Sequence, residues 1–544
     1  MHTYDKIITQ IITVLLICAG MFLITRLINL DPSFVNILWV ITIMVTVLGG
    51  SGIIIYFSRL RTERTLIHRR LDHLQSEGLR VYRKKFERLL YSRDVADLPK
   101  LGKILYDFDV LAVVQPKDHQ EVKAIIRLCE EFAIPLIPRG AGTGGYGGAL
   151  PTQNGIILIF TQIKEILSVN TETNTVEVET GITWRRLREF LEKNGYDLYT
   201  YPSSAPSSSI GGWIASGGYG IGSSKFGDIT QSVHSVSIIG TNGEVFVLDN
   251  PSDFIGNFGT IGVIWKATLK VRPKIPVHHI AIQPKSREIG LEKFNLLQTM
   301  NPFYLRYIDQ VSLKWITNDE ELGSIIKNAD SGMISATFLE TDWSDSQRGS
   351  ELLDDILPTN IAQELWDDRF YTLRLKRGGP SLIVSEVIVP SDVLRSFLAY
   401  LSKWFQEEKY SVEIVALNNR NSMVMVWFPT DQRKRSLPIL GSIPYLFHWF
   451  RTFQVIRIAW TVNGSTYNNG GLWLSPYPKK EDGENVRKIK RLKKKMDPYK
   501  IFNPGKLEST RIPRFFPILS WNLFLKISLP IASIFYRVLP KRYR

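Results

Sequence analysis

Arg139-Gly-Ala-Gly-Thr-Gly-Gly-Tyr-Gly-Gly148 runs through Ala149-Leu-Pro-Thr-Gln-Asn-Gly155 into Ile156-Ile-Leu-Ile-Phe160, and the element after the glycines discriminates between two folds. Glycines at this density let successive backbone N–H groups converge on an anion with no Cβ in the way. A dinucleotide-binding βαβ turn needs a helix directly after such a loop, because the helix N-terminus completes the phosphate site. Here Pro151 and Asn154-Gly155 lead into a β-rich apolar run instead, so the loop joins strand to strand. A nicotinamide-type Rossmann turn is excluded.

On the N-terminal side of the loop, Leu111–Pro116 reads as a strand, and Asp118 caps a helix to about Phe132 with Val122, Ile125, Ile126 and Cys129 on one face. On its C-terminal side, Thr175–Thr180 alternates as a strand, and Thr183 opens a helix that Gly195 stops. A long loop from Tyr201 to Gly220 carries a second cluster of glycines and hydroxyls. Val233–Val247 forms a hairpin through Thr241-Asn-Gly243, and Gly259-Thr-Ile-Gly-Val-Ile-Trp265 leads into a strand over Lys266–Val271. Three glycine clusters in this order outweigh the reading of each as a plain turn.

The chain has 544 residues, enough for two or three domains, with 44% hydrophobic and 22% charged residues, which excludes wholesale disorder. Two cysteines, Cys18 and Cys129, exclude a disulfide framework and an iron–sulfur site within one chain. The 8 histidines show no metal-ligand spacing, so no metal is expected. The net charge of +15 gathers in two blocks, Arg59–Arg70 and Arg487–Lys495. With no nucleic-acid-binding motif beside them, an anionic membrane surface is the expected partner and nucleic acid is not.

Residues 7–25 and 34–58 contain no charge. At about 1.5 Å per residue each is long enough to cross a hydrocarbon core of about 30 Å. They predict a two-helix transmembrane hairpin over 1–60, and the arginines after it place the rest of the chain in the cytoplasm. A cleaved signal peptide fits less well, because the n-region carries one lysine and a second apolar run comes at once. Residues 61–100 read as a basic juxtamembrane helical linker. Phe515–Tyr536, broken by Lys526 and Pro530, reads as an interfacial helix within a basic, membrane-surface tail over 511–544.

The stretches "QPKDHQEVKAIIRLCEEFAIPLIPRGAGTGG" (115–145), "SSSIGGWIASGGYGIGSSKFGDI" (207–229), "NFGTIGVIWKATLKVRP" (257–273) and "MDPYKIFNPGKL" (496–507) resemble the vanillyl-alcohol oxidase family of flavoproteins. The resemblance implies an α+β architecture: a two-subdomain p-cresol-methylhydroxylase (PCMH)-type FAD-binding domain over 101–275 and an α/β substrate or cap domain over 276–478. A basic helix and FAD-contacting segment would follow over 479–510. Carried over, Pro138, Arg139, Gly140, Ala141, Gly142, Thr143, Gly144 and Gly145 would embrace the pyrophosphate. Ser209, Ile210, Gly211, Gly212, Ile214 and Ala215 would line the phosphates and flavin edge. Gly262, Val263 and Ile264 would meet the adenine side, and Asn503 and Lys506 would return towards the cofactor. Many members attach FAD through a histidine in the first loop; Thr143 stands near that place, so non-covalent FAD is expected.

In the cap, "SEVIVPSDVL" (385–394) is similar to D-lactate and glycolate dehydrogenase relatives, whose histidine-rich metal signature is missing here. The cations Arg369, Arg374, Lys376 and Arg377 suit a carboxylate or phosphate. Arg374 and Arg377, with Tyr467 from the polar stretch Val462–Tyr467, are the candidate catalytic residues, each weighed against an ordinary charged face or turn. The expected reaction is hydride transfer from a C–H or alcohol substrate, hydroxy-acid or lipid-like, to flavin N5, with electrons passed to a quinone, a partner or oxygen. Three alternatives remain: a reductase of a sterol- or polyprenyl-like double bond, an oxidase of a lipid-linked sugar or polyol, and a non-catalytic flavin-binding membrane scaffold.

Overall fold

The structure is a computed structural model that describes residues 62–95, 109–145, 147–316, 331–346, 356–371, 373, 375–376, 381–405, 409–430, 443–467, 482–506, 511–512 and 516–520. It divides into two compact units, Met1–Gly78 and Leu79–Arg544. The described part of the first is a helix over 62–76. The expected spans at 7–25 and 34–58 lie outside the described residues, among which no helix is long and apolar enough to cross a membrane.

The second unit opens with a four-stranded sheet, β1 Arg80–Tyr82, β2 Ala112–Gln115, β3 Leu136–Arg139 and β4 Ile156–Ile159, ordered β1-β2-β4-β3. β2, β4 and β3 run parallel, and β1 joins antiparallel at the edge. The helix His119–Glu131 crosses from β2 to β3. Asp118 caps it by accepting from Glu121 N at 2.9 Å, and its inner face buries Val122, Ile125, Ile126, Leu128 and Cys129. The glycine loop then connects two adjacent parallel strands, β3 and β4. The linker expected over 61–100 needs correcting: β1 belongs to this sheet, and Val95 N donates to Gly144 O at 3.2 Å.

β5 Ile166–Asn170, β6 Thr175–Glu179, β7 Tyr196–Leu198, β8 Val233–Ile239, β9 Val245–Leu248 and β10 Val263–Pro273 form the second, antiparallel sheet. The β8–β9 turn places Asn242 and Gly243 at φ 58° and 70°, the left-handed pair a tight hairpin requires. The stretch expected to be a loop over 201–220 contains a helix, Ile210–Ser216, with Ser209 as its N-cap.

The cap carries a seven-stranded antiparallel sheet: β11 Val277–Ile282, β12 Tyr304–Ile308, β13 Met333–Leu339, β14 Ser381–Pro390, β15 Ser411–Ala416, β16 Asn421–Thr430 and β17 Ser465–Thr466. Their order is β11-β13-β12-β15-β16-β14-β17. Side chains alternate across a strand, and both faces are used. Val412, Ile414, Val424, Val426 and Phe428 bury against helices Arg287–Thr299, Leu394–Trp404 and Ile443–Thr461. Val415, Met423, Met425 and Trp427 turn the other way, into the core shared with the second sheet.

At the C-terminal end, the basic run on the helix Asp482–Met496 is not uniformly exposed. Lys493 is buried and donates to Thr260 O at 2.8 Å, Asp497 Oδ2 at 2.9 Å and Phe502 O at 2.8 Å. Where an interfacial helix was expected to begin, Phe516–Ser520 is a strand paired with Arg511–Ile512; residues 521–544 lie outside the described residues.

Candidate functional site

Arg139 is the last residue of β3, and the loop folds back over it. Its side chain is 9% exposed, its Nη1 has no hydrogen-bond partner, and a Cβ on Gly142 (φ +69°) would overlap the guanidinium. Burial lowers the Arg139 pKa, with Asp94 and Tyr91 opposing the shift. Gly140 is equally constrained, since a Cβ there would strike Ser209 Oγ. Gly144 and Gly145 differ: a Cβ at either would meet nothing within 4 Å.

Ser209 Oγ accepts from Gly212 N at 3.3 Å, and Gly211 packs against Thr180 so closely that its Cβ would sit 2.8 Å from Thr180 Cβ. That contact explains a glycine in the first turn of a helix. Thr180 Oγ1 in turn donates to Ile264 O at 2.5 Å, which binds the second glycine cluster to the third.

One cavity of about 290 Å³ joins these elements. Pro138 to Gly145, Ser209, Gly211, Gly212, Ala215, Gly262, Val263 and Ile264 line it. Ile210 and Ile214 do not; both are buried in the core behind the helix. Asn503 and Lys506 also stay outside the lining and brace the loops from behind. Asn503 N donates to Leu136 O at 2.8 Å and its Nδ2 to Phe258 O at 2.6 Å, while Lys506 Nζ donates to Gly147 O at 2.6 Å. Burial pushes the fully enclosed Lys506 amine down to about 7, with Asp94 pulling the other way.

The cap closes the cavity with Tyr304, Glu386, Glu413, Val415, Leu417, Met423, Met425, Trp427 and Tyr467. Tyr467 Oη accepts from Tyr219 N at 2.9 Å and donates to Tyr219 O at 3.2 Å, beside the second glycine cluster. Glu413 pairs through Oε1 with Arg306 Nε at 2.6 Å, each side chain 1% exposed. Burial raises the Glu413 pKa and the Arg306 guanidinium opposes it. Arg374 and Arg377 lie outside the described residues. Arg369 is buried, with its guanidinium 3.8 Å from the Trp366 ring centroid. His279 stacks on Trp366, and burial beside Arg369 takes it down to about 4. Among the described residues no cluster of His, Cys, Asp or Glu suits a metal ion.

Glu413, Met425 and Trp427 escape a sequence reading, because each looks like one strand residue among many. The available signal is the alternation of β15 and β16, which marks the faces without saying what each face meets.

The fold is shared with p-cresol methylhydroxylase with substrate bound (TM-score 0.62, 13% identity, 82% of this chain and 97% of that one). It is also shared with alkyldihydroxyacetonephosphate synthase (TM-score 0.57, 18% identity, 73% of this chain and 76% of that one). Residues 110–249 match the FAD binding domain family, and residues 295–507 match the C-terminal domain of FAD linked oxidases. The chain is an enzyme of the FAD-linked oxidase family. This FAD-linked oxidase is 25% identical to the mitochondrial D-lactate dehydrogenase [cytochrome] of Arabidopsis thaliana, over 73% of each chain. It is 23% identical to the glycolate oxidase subunit GlcD of Bacillus subtilis, over 75% of this chain and 92% of that one.

The oxidase's own residues fit FAD. A buried guanidinium with an open N–H lies under the first loop, and Gly144 and Gly145 leave space where side chains would stand. Backbone N–H groups of both loops suit phosphate. When bound, the flavin accepts a hydride equivalent from a substrate carbon.

Proposed function

We propose that the chain oxidises a CH–OH group, on a hydroxy acid or a lipid-like alcohol, and passes the electrons to a quinone, a partner protein or oxygen. The observation that carries this reading is the shared cavity: glycine loops suited to FAD form one side, and a side-chain-lined face of the cap sheet forms the other. A substrate held on the cap face lies against a flavin held by the loops, with bulk water displaced by the cap. Relatives named for D-lactate and glycolate support CH–OH chemistry. The uncharged stretches at 7–25 and 34–58 support a further part of the proposal, a membrane hairpin with the catalytic unit on the cytoplasmic side.

The test is anaerobic bleaching of the flavin absorbance in detergent-purified protein, across a panel of alcohols and hydroxy acids with NADPH as a control. Bleaching by an alcohol or hydroxy acid supports the proposal. Bleaching by NADPH alone points to a reductase and contradicts it.

A further inference from the structure

Two tyrosines bring hydroxyls to the cap wall of the cavity, Tyr304 and Tyr467. The Tyr467 hydroxyl is spent, because it accepts from Tyr219 N and donates to Tyr219 O. The Tyr304 hydroxyl is not. Its residue is 6% exposed, and among the described residues the phenol makes no hydrogen bond. With no protein partner and without being sealed from solvent, the oxygen opens on the cavity that its residue lines.

The strand fixes this direction. Leu305 and Tyr307 of β12 turn to the helices behind the cap sheet, whereas Tyr304 and Ile308 turn to the core shared with the second sheet. Trp366 meets the Tyr304 ring edge-on at 6.1 Å, and Tyr304 stands opposite Thr337 of β13. Burial pushes the phenol pKa up; the Arg306 guanidinium opposes this and Glu413 adds to it. The phenol therefore stays protonated and keeps a proton to donate.

The charges around it leave room for an anion. Arg306, two residues along β12, is paired with Glu413, so the two together bring no net charge. Glu386, the other carboxylate of the wall, is on β14, which β15 and β16 separate from β12. Three strand spacings put it about 14 Å from the Tyr304 strand. A neutral donor at the opposite end of the wall from Glu386 suits a carboxylate oxygen, with which its hydrogen bond is charge-assisted.

We infer that Tyr304 is a substrate-binding residue, its Oη donating to the carboxylate of a hydroxy acid. The inference rests on the hydroxy-acid form of the proposed function and names a residue for it.

The experiment compares the flavin-loaded wild type with Tyr304→Phe, which keeps the ring and removes only the oxygen. Flavin difference spectra are titrated with 2-hydroxybutyrate, with butyrate, which lacks the hydroxyl, and with 2-butanol, which lacks the carboxylate. Anaerobic bleaching and steady-state rates are followed with 2-hydroxybutyrate. In the variant both carboxylates should need about tenfold or more higher concentration to saturate, and 2-butanol should be unaffected. KM for 2-hydroxybutyrate should rise by the same factor while kcat changes less. The urea midpoint should match the wild type, since the lost oxygen bonds to nothing in the protein. Unchanged carboxylate binding in the variant overturns the inference, as does equal weakening of 2-butanol or a lowered urea midpoint. Wild-type flavin that 2-butanol bleaches and 2-hydroxybutyrate neither bleaches nor perturbs overturns it while leaving the alcohol-oxidising reading intact. A wild type bleached by no alcohol or hydroxy acid overturns both.

Discussion

Tyr467 Oη bonds both backbone groups of Tyr219, at 2.9 and 3.2 Å, across 248 residues of chain. This one phenol ties the strand end of the cap to the second glycine cluster, where a Cβ on Gly218 would overlap it. Tyr467→Phe keeps the ring and removes both bonds, leaving the Tyr219 N–H without that acceptor. The expected cost is about 1–3 kcal/mol, read as a lower urea midpoint, with a fall in turnover as the cap loses register with the loop.

Gly142 and Gly144 separate folding from cofactor binding. Gly142→Ala places a Cβ into the Arg139 guanidinium at φ +69°, so both thermal stability and flavin content should fall. Gly144→Ala meets no protein atom within 4 Å and projects into open space at the loop. Its melting temperature without flavin should match the wild type. The ratio of its flavin absorbance to its protein absorbance should drop sharply.

The Arg306–Glu413 pair is 1% exposed on both sides. Glu413→Ala strands a buried guanidinium, which is expected to cost about 3–5 kcal/mol. Replacing both partners by methionine removes the stranded charge and should recover most of that loss. Urea midpoints of the two variants check the order; a double variant less stable than Glu413→Ala contradicts the pairing.

Lys506 makes stability depend on pH. Its amine titrates near 10.5 in the unfolded chain and at about 7 when buried. Between those values the unfolded state binds more protons, so the stability of the flavin-free protein should rise as pH increases from about 7 towards about 10. Lys506→Met should flatten this rise, as followed by denaturant midpoints at each pH.

Much of the fold was legible because short-range pattern carries it. Thr175–Thr180 alternates as a strand and forms one over Thr175–Glu179, and Asp118 caps its helix as its position predicts. The helix Ile210–Ser216 was not legible. Gly211 and Gly212 weaken helix propensity, and the reason for Gly211, its close approach to Thr180, is contributed from a distant part of the chain. Lys493 read as one cation in a basic run, although Asp497 four residues on hinted at a partner. Glu413 was out of reach for another reason: its neighbours Met425 and Glu386 are set by the register of three strands, which no local window contains.

Whether the glycine loops hold FAD, and hold it without a covalent bond, can be read from the absorbance spectrum of detergent-purified protein before and after acid precipitation. A flavin band should leave with the supernatant, since the first glycine loop holds no histidine or cysteine for attachment, and the released flavin should be FAD. A colourless chain that cannot be reconstituted with FAD would overturn the assignment of these loops to the cofactor.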